Sequence, residues 1–255
     1  MELIEAIESR LSARAFLPTP VPRETVERIL ELARRAPSGS NMQPWQVDVV
    51  TGAVRERLIE RALAWAREHP VGSHENPLRG DPGGFRQPYK QRRFDCGMSL
   101  YAALGIDRRD KVAREQQLLR NFYFFGAPVG LMFSIHRSLL PGQLGDLGIF
   151  MGHVMLAARE FGLHTCSQGF WQDVSPAVHD VLGIAPEYYV YNGMALGHID
   201  ATHPANRLEM PREPVAGFAR FLGFEEPGFE EPGFEEPGFE EPGFEEPGFE
   251  AAGSG

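Results

Sequence analysis

Residues 146–167 read DLGIFMGHVMLAAREFGLHTCS, and they contain a helix pattern followed at once by a strand pattern. Asp146–Phe161 is apolar on most sides and carries small residues such as Gly148 and Gly152, which is typical of a helix packed closely against other elements. Leu163–Ser167 predicts a strand. An apolar helix that leads directly into a strand indicates a sheet with helices packed on it.

The same two patterns recur along the rest of the chain. Trp45–Val50 alternates and is rich in β-branched residues, so it predicts a strand. Residues 69–93 are rich in Gly, Pro and Arg and predict a long irregular loop. Helices interleaved with four or five strands predict a helix-covered sheet. The other predicted strands are Val129–Ile135 and Tyr188–Gly197, and the other predicted helices are Glu2–Ser9, one that Pro22 opens and Pro37 ends, about Ala53–Glu68, Cys96–Leu104, Arg108–Asn121 and Pro176–Leu182.

Composition limits the class of protein. The 255-residue chain has a formal net charge of −10, but eleven of its 35 acidic residues lie in residues 223–255. The other 24 stand against 25 basic residues in residues 1–222, and this near neutrality argues against a nucleic-acid-binding surface. Cys96 and Cys166, 70 positions apart, predict free thiols in a reducing compartment. Without a signal-peptide pattern or an apolar run of the ~18–20 residues that a membrane helix needs, we predict a cytoplasmic protein.

The end of the chain differs in composition from the rest. The pentad Gly-Phe-Glu-Glu-Pro occurs five times from Gly223 to Pro247. Pro and Gly in every pentad disfavour helix and regular sheet, and the paired glutamates repel one another. We therefore predict a folded domain over residues 1–222 and a disordered acidic tail over residues 223–255. The alternative is that the Phe of each pentad docks on a partner protein.

Several common catalytic motifs are missing from the sequence. No Gly-x-Gly-x-x-Gly follows a strand, and neither the P-loop nor the Gly-x-Ser-x-Gly nucleophile elbow occurs. His-Glu-x-x-His is absent and the eight histidines show no ligand spacing, so we predict no metal site. An enzyme with this sequence depends on a cofactor for its difficult chemistry.

The stretch Arg10-Leu-Ser-Ala-Arg14 is a candidate binding segment. In an extended chain its alternate residues Arg10, Ser12 and Arg14 point the same way. Arginine pairs bidentately with phosphate and serine adds a donor, so the segment indicates a phosphate-bearing cofactor held by side chains. The alternative is that the two arginines only suit the C-terminus of the helix before them. The later turn within Ala36–Trp45 either contacts a ligand or is an ordinary turn.

Six motifs in a fixed order resemble those of the FMN-dependent nitroreductase family across residues 1–222. They are Arg10-x-Ser-x-Arg14, Ala36-Pro-Ser-Gly-Ser-Asn-x-Gln-Pro-Trp45, Asn121-Phe-x-Phe-Phe-x-Ala-Pro128, Asp146-x-Gly148, Ser167-Gln-Gly-Phe170 and Asn206-x-Leu-x-x-x-Arg212-Glu-Pro214. The resemblance implies an α+β fold with a central, mostly antiparallel sheet flanked by helices. It also implies an intertwined homodimer with FMN bound at each of two sites in the subunit interface.

The resemblance further implies which residues bind the cofactor. Arg10, Ser12 and Arg212 are expected at the FMN phosphate, and Arg14 near the pyrimidine edge of the ring, where a cation favours the reduced flavin. Many relatives carry a lysine at the position of Met210, so one phosphate partner is missing here. The side chains that are candidates to replace it or to contact substrate are Lys90, Arg92 and Arg93.

Other residues are implied at the flavin ring. Gln168 and Gly169 match the place where the family presents a backbone N–H to flavin N5, and glycine there lets the main chain approach the ring. Pro37, Ser38 and Asn41 are expected to reach the isoalloxazine, the first two from the partner subunit. Phe122–Phe125 and Trp171 either line an acceptor slot or belong to the core.

The implied reaction is hydride transfer from NADH or NADPH to flavin N5 and then to an electron-poor acceptor, by ping-pong kinetics. A nitroaromatic, reduced to the hydroxylamine, or a quinone is the expected acceptor, and no side chain is expected to act as the catalytic group. Two alternatives remain open. The first is a same-fold enzyme with other chemistry, such as a reductive dehalogenase or a flavin-modifying enzyme. The second is a non-enzymatic interaction protein that acts through its Phe-repeat tail.

Overall fold

The computed structural model describes residues 1–69 and 84–224, which form two compact units, Met1–Met210 and the residues from Pro211 onward. In the second unit, Val215–Gly217 makes one 3-10 turn, and the rings of Phe221 and Phe224 meet edge to face at 5.6 Å. The predicted division after residue 222 and the disorder of the tail stay predictions, because residues 225–255 lie outside the described part.

The first unit is built from seven helices and four strands in the residues described. The helices are α1 (Leu3–Ser9), α2 (Arg23–Ala33), α3 (Gly52–Glu68), α4 (Tyr89–Ala103), α5 (Lys111–Leu119), α6 (Leu144–Glu160) and α7 (Ser175–Leu182), and the strands are β1 (Gln46–Val50), β2 (Val129–His136), β3 (His164–Gln168) and β4 (Tyr188–Gly197). None of the helices in the two described ranges is both long and apolar enough to cross a bilayer.

The four strands form one antiparallel sheet in the order β1-β2-β4-β3. Strand β2 is buried from Val129 to Ile135, as expected of a central strand with a helical layer on each face. Its odd-numbered side chains, Leu131 and Phe133 among them, pack with helices α2 and α6, while Met132 packs with the core under α3 and α7. The predicted α+β fold, with a mostly antiparallel sheet flanked by helices, is confirmed.

The chain after α1, residues 10–15, runs as an extended segment along the free edge of β3. Ser12 forms an isolated parallel bridge with Thr165, and the Ala13 N–H donates to the carbonyl of Thr165 at 3.0 Å. Leu11 and Ala13 pack into the core below α3 and α7. Because neighbouring side chains in an extended chain alternate, Arg10, Ser12 and Arg14 lie on the opposite side of the segment.

One predicted irregular segment is wrong in part. The predicted loop over residues 69–93 includes Lys90, Arg92 and Arg93, but these residues lie on helix α4, which begins at Tyr89. Helix α4 contains no buried residue, so it lacks the apolar periodicity from which helices are predicted. The prediction for residues 70–83 falls outside the described residues.

Candidate cofactor and substrate site

A cavity of about 730 Å³ opens beside the end of β3, within the first unit. Its walls come from the extended segment, from β3 and the turn after it, and from helices α4 and α5. Its volume lies in the range of ~300–1,000 Å³ that is usual for small-molecule and cofactor sites. Residues that line it include Arg14, Arg93, Tyr101, Asn121, Phe125, Cys166, Gln168, Gly169, Phe170 and Asp173.

Arg14 is held at the cavity wall through its main chain. Its N–H donates to Asn206 Oδ1 at 2.6 Å, and its Nη1 donates to the carbonyl of Ser12 at 3.3 Å. Asn206 is 7% exposed, and its side-chain amide also donates to the carbonyls of Ala15 and Asp200, both at 2.8 Å. Asn206 therefore fixes the segment that carries Arg14. Asn206 belongs to one of the six sequence motifs, but that motif does not predict these contacts.

The pKa of the buried Cys166 thiol depends on its burial and on the charges of Arg10 and Arg14. Burial raises the pKa of Cys166 to about 11, while the charges of Arg14 and Arg10 lower it. Cys166 lies on β3 and lines the cavity. The thiol is protonated at neutral pH, so it is a poor nucleophile.

Gln168 and Gly169 stand at the point where β3 ends. The Gln168 N–H donates to Asn192 Oδ1 at 2.8 Å, and its Nε2 donates to the carbonyl of Asn121 at 2.6 Å. Gln168 Oε1 is buried and has no hydrogen-bond partner among the described residues. Apart from its neighbours in the chain and the backbone of its own turn, no atom lies within 4 Å of the place where a Cβ on Gly169 would be, so that side of Gly169 faces open space.

The turn with Pro37, Ser38 and Asn41 does not line this cavity in the described residues. Pro37 and Asn41 are exposed, and Ser38 Oγ accepts from the N–H of Gln43 at 3.0 Å. The φ angles of Ser40, Asn41 and Gln43 are +50°, +55° and +50°, which is unfavourable for residues with a side chain. Such strain in an exposed turn is frequent at ligand-binding segments. Their predicted role at the flavin ring stays a prediction.

Arg212 belongs to the second unit, where its Nη1 donates to the carbonyl of Pro211 at 3.2 Å. Its predicted role at the FMN phosphate also stays a prediction. Ser12 is half-buried on the extended segment.

The aromatic residues divide between the core and the cavity. Trp171, Phe122 and Phe124 are fully buried, and Phe124 stacks on Trp171 with ring centroids 4.7 Å apart. Phe125 and Phe170 line the cavity. Of the two roles predicted for Phe122–Phe125 and Trp171, acceptor slot or core, most of these residues have the second, while Phe125 lines the cavity. Among the three basic candidates on α4, Arg93 lines the cavity, and Lys90 and Arg92 are not among its lining residues.

The fold and the cavity together define an α+β protein with a cofactor-sized, arginine-lined site at a sheet edge. The model of the nitroreductase family matches residues 7–198. The chain is 37% identical over 219 residues to 4-nitrobenzoate reductase of Pseudomonas putida, which covers 86% of this chain and 95% of that protein. It is also 37% identical over 219 residues to nitrobenzene nitroreductase of Ectopseudomonas oleovorans, covering 86% and 96%. This chain belongs to the nitroreductase family.

Solved structures agree with this assignment. The FMN and NADPH-dependent nitroreductase NfnB from Sphigopyxis sp. strain HMH matches with a TM-score of 0.83 at 38% identity, covering 88% of this chain and 100% of that one. The FMN-dependent nitroreductase NfnB from Mycobacterium smegmatis, in complex with NADPH, matches with a TM-score of 0.81 at 33% identity, covering 86% and 97%. The family predicted from the six motifs is confirmed.

Proposed function

We propose that this protein is an FMN-dependent oxidoreductase that uses NADH or NADPH to reduce a nitroaromatic acceptor to the hydroxylamine. The observation that carries the proposal is the cavity beside β3, with Arg14 and the open Gly169 on its wall, in a chain 37% identical to a 4-nitrobenzoate reductase. The predictions of an enzyme, of nitroreductase activity and of FMN with a nicotinamide co-substrate are confirmed by the functions of the relatives.

The residues at the cavity fit FMN. A phosphate requires cations: Arg14 lines the cavity, and Arg10, which is not among the lining residues, lies on the same side of the extended segment. A flat ring requires an unobstructed surface, which Gly169 offers. The buried Gln168 Oε1 requires a donor, and FMN carries both hydroxyl and ring N–H donors. The phosphate and the ring of FMN therefore each have a suitable group in the protein, and the buried Gln168 Oε1 has a suitable donor in FMN.

In this assignment the extended segment is the anion-binding element. Arg10 and Ser12 contact the phosphate, and each charge-assisted hydrogen bond contributes ~1.5–3 kcal/mol. Arg14 lies nearer the ring, where its fixed positive charge stabilises added electrons. Asn206 acts through Arg14 and is a positioning residue.

The cavity walls bind and orient the acceptor. FMN, when bound, supplies the two-electron carrier that accepts hydride from NAD(P)H and passes it on. Reduction of a nitro group to a hydroxylamine consumes two hydrides and two protons and releases one water. In this proposal the protons come from solvent, and the buried Cys166 thiol, whose pKa is raised to about 11 by burial, keeps its own proton. Aromatic walls that include Tyr101 and Phe170 favour flat acceptors, and one cavity for both substrates implies ping-pong kinetics.

A homodimer is the second part of the proposal. Helix α1 leaves Leu3, Ile4 and Ile7 more than half exposed, and Ile149 on α6 is 42% exposed. An apolar surface of this kind is typical of a subunit interface. The dimer would bring Pro37 and Ser38 of one subunit to the cavity of the other. Small aromatic acceptors and a second copy of the chain are the proposed partners, in the cytoplasm.

The test of the activity begins with the purified full chain. It is denatured, the released chromophore is identified by chromatography, and turnover with NADH and NADPH is followed using 4-nitrobenzoate and a quinone. Release of FMN with formation of a hydroxylamine is expected. A colourless protein that FMN does not reconstitute would refute the assignment. Deleting residues 223–255 is expected to leave turnover unchanged, and an acceptor screen with iodinated aromatics separates the dehalogenase alternative.

The dimer is tested with Ile149→Asp, which places a charge on the exposed apolar surface. We expect a shift to monomer in analytical ultracentrifugation together with loss of bound FMN, because the flavin site needs both subunits. The matched control is Val112→Asp, which changes an exposed apolar residue on α5, and it is expected to remain dimeric. A monomeric wild-type protein with stoichiometric FMN would contradict the proposal.

A further inference from the structure

Helix α4 brings a second arginine to the cavity, on a different wall from Arg14. Arg14 is half-buried beside β3, whereas Arg93 is exposed on α4. The roles expected of the family do not assign Arg93 specifically. Because Arg93 reaches the cavity from α4, it is a positive charge separate from that of Arg14 on the extended segment.

The guanidinium group of Arg93 is oriented but is not neutralised by the residues described. Its Cζ lies 5.2 Å from the centre of the Phe85 ring, within the range of a cation–π contact. No carboxylate within residues 1–69 and 84–224 forms an ion pair with it, in contrast to surface arginines such as Arg23, which pairs with Glu27. Asp173, the acidic side chain on the lining, is engaged in a contact of its own. A guanidinium that contacts an aromatic ring and has no carboxylate paired with it retains its positive charge and can bind a carboxylate bidentately.

We propose that Arg93 selects aromatic acceptors that carry an anionic substituent, by pairing with that substituent while the ring lies among the aromatic walls. The inference rests on the proposed function and adds the class of acceptor. The aromatic residues of the lining contact any flat acceptor, and they are Phe85, Tyr101 and Phe170. They raise the affinity for charged and neutral acceptors alike, so they do not discriminate between the two classes. Arg93 adds a contact that only an anionic acceptor makes. It therefore raises kcat/KM for anionic acceptors relative to kcat/KM for neutral ones.

The test compares 4-nitrobenzoate with its neutral methyl ester in the full-length holoenzyme. For a ping-pong enzyme, kcat/KM for the acceptor is independent of the nicotinamide step, so the two half-reactions are measured separately. The variants are Arg93→Gln, Arg93→Glu and the matched control Lys90→Gln, which removes one positive charge from the same helix away from the cavity lining. Flavin content is recorded for each variant as the readout of folding.

Arg93→Gln is expected to lower kcat/KM for 4-nitrobenzoate about tenfold, the equivalent of one charge-assisted hydrogen bond, with kcat/KM for the ester and for NADPH within twofold. Arg93→Glu is expected to lower the rate with the carboxylate further and to favour 4-nitrobenzylamine. Lys90→Gln should leave the preference unchanged.

Two results would overturn the inference. The first is an equal loss with acid and ester, and the second is a loss confined to NADPH, which would assign Arg93 to the nucleotide phosphates. Failure of the wild-type protein to reduce either nitro compound would instead refute the proposed function, so the two failures are distinguishable.

Discussion

The main-chain N–H of Arg14 donates to Asn206 Oδ1 at 2.6 Å, joining residues 192 positions apart. The same asparagine donates to the carbonyls of Ala15 and Asp200. Two of the three hydrogen bonds of this buried amide thus tie the extended segment, which carries the proposed phosphate ligands, to the end of the first unit. The main chain at Arg14 is therefore held beside the cavity by contacts within the fold.

Asn206→Ala is expected to lower the free energy of unfolding by about 1–3 kcal/mol, because it leaves the Arg14 N–H without its acceptor. The carbonyls of Ala15 and Asp200 lose one donor each but keep the main-chain N–H groups of Asp200 and His203. The substitution should also weaken FMN binding, since the segment loses its fixed position. Urea unfolding of the apoprotein and a fluorescence titration with FMN measure the two effects. The control is Gln91→Ala, which removes an exposed hydrogen bond to Asp95 and is expected within 0.5 kcal/mol of wild type. Equal stability of the two variants would contradict the role of Asn206.

The two arginines of the extended segment are expected to respond differently to the phosphate of the ligand. Arg10→Gln should raise the dissociation constant of FMN about tenfold but leave riboflavin binding unchanged, because riboflavin lacks the phosphate. Arg14→Gln should weaken both ligands, because it acts at the ring. Fluorescence quenching of each flavin by the apoprotein measures these constants. Arg23→Gln on α2, which breaks an exposed pair with Glu27, is the control. An Arg10 variant that loses both flavins equally would contradict its assignment to the phosphate.

Gly169 and Gly193 differ in their surroundings: the first lies beside space for a ligand, and the second is packed in the core. A Cβ at Gly169 would meet no atom within 4 Å, whereas a Cβ at Gly193 would overlap the ring of the buried Trp171. Gly169→Ala is therefore expected to unfold at the wild-type urea concentration while binding FMN more weakly, because the methyl group intrudes on the ring.

Gly193→Ala is expected to lose several kcal/mol of stability, as overpacked cores do, whether or not FMN is present. Thermal unfolding with and without saturating FMN distinguishes the two variants. If Gly169→Ala bound FMN as tightly as the wild type, the ring would not approach the main chain there.

The sequence predicted the sheet well because its strands carry strong local patterns. The strand Tyr188–Gly197 was predicted with the observed bounds, and Val129–Ile135 lacks one residue of β2. Helix α4 begins at Tyr89, but its predicted start was Cys96. The helix contains no buried residue, so it has no apolar stripe from which its start could be predicted. The order of the strands follows from contacts between distant parts of the chain, and local patterns do not encode it.

The site was predictable where its chemistry is local. Arg10, Ser12 and Arg14 alternate with apolar Leu11 and Ala13, so their common orientation could be read from five residues. Asn206 contacts Arg14 only after the chain has folded, and an asparagine alone carries no signal for that contact. Arg93 was one of three basic candidates, and only the rotation of α4 distinguishes it from Lys90.

A half-buried histidine near the start of the extended segment should make stability depend on pH. Burial lowers the pKa of His164 to about 4, and the charges of Arg159 and His198 lower it further. Arg159 Nη1 lies 3.0 Å from His164 Nδ1 and donates to the carbonyl of Leu163, while its Nε donates to Ser9 Oγ at 3.3 Å. The neutral imidazole is therefore the form that the fold holds.

Because the folded pKa of His164 lies below the ordinary value of 6.5, the unfolded chain binds the extra proton first as the pH falls. The contribution of His164 is present in full above about pH 6.5 and is lost as the pH falls towards 4. Since the ring is partly exposed, we expect a loss on the order of 1–2 kcal/mol. His164→Asn keeps an acceptor for Arg159 without titrating, so its unfolding free energy should fall less between pH 7 and pH 4.5. Urea unfolding of both apoproteins across that range measures the difference, and parallel curves would show that the proton is taken up elsewhere.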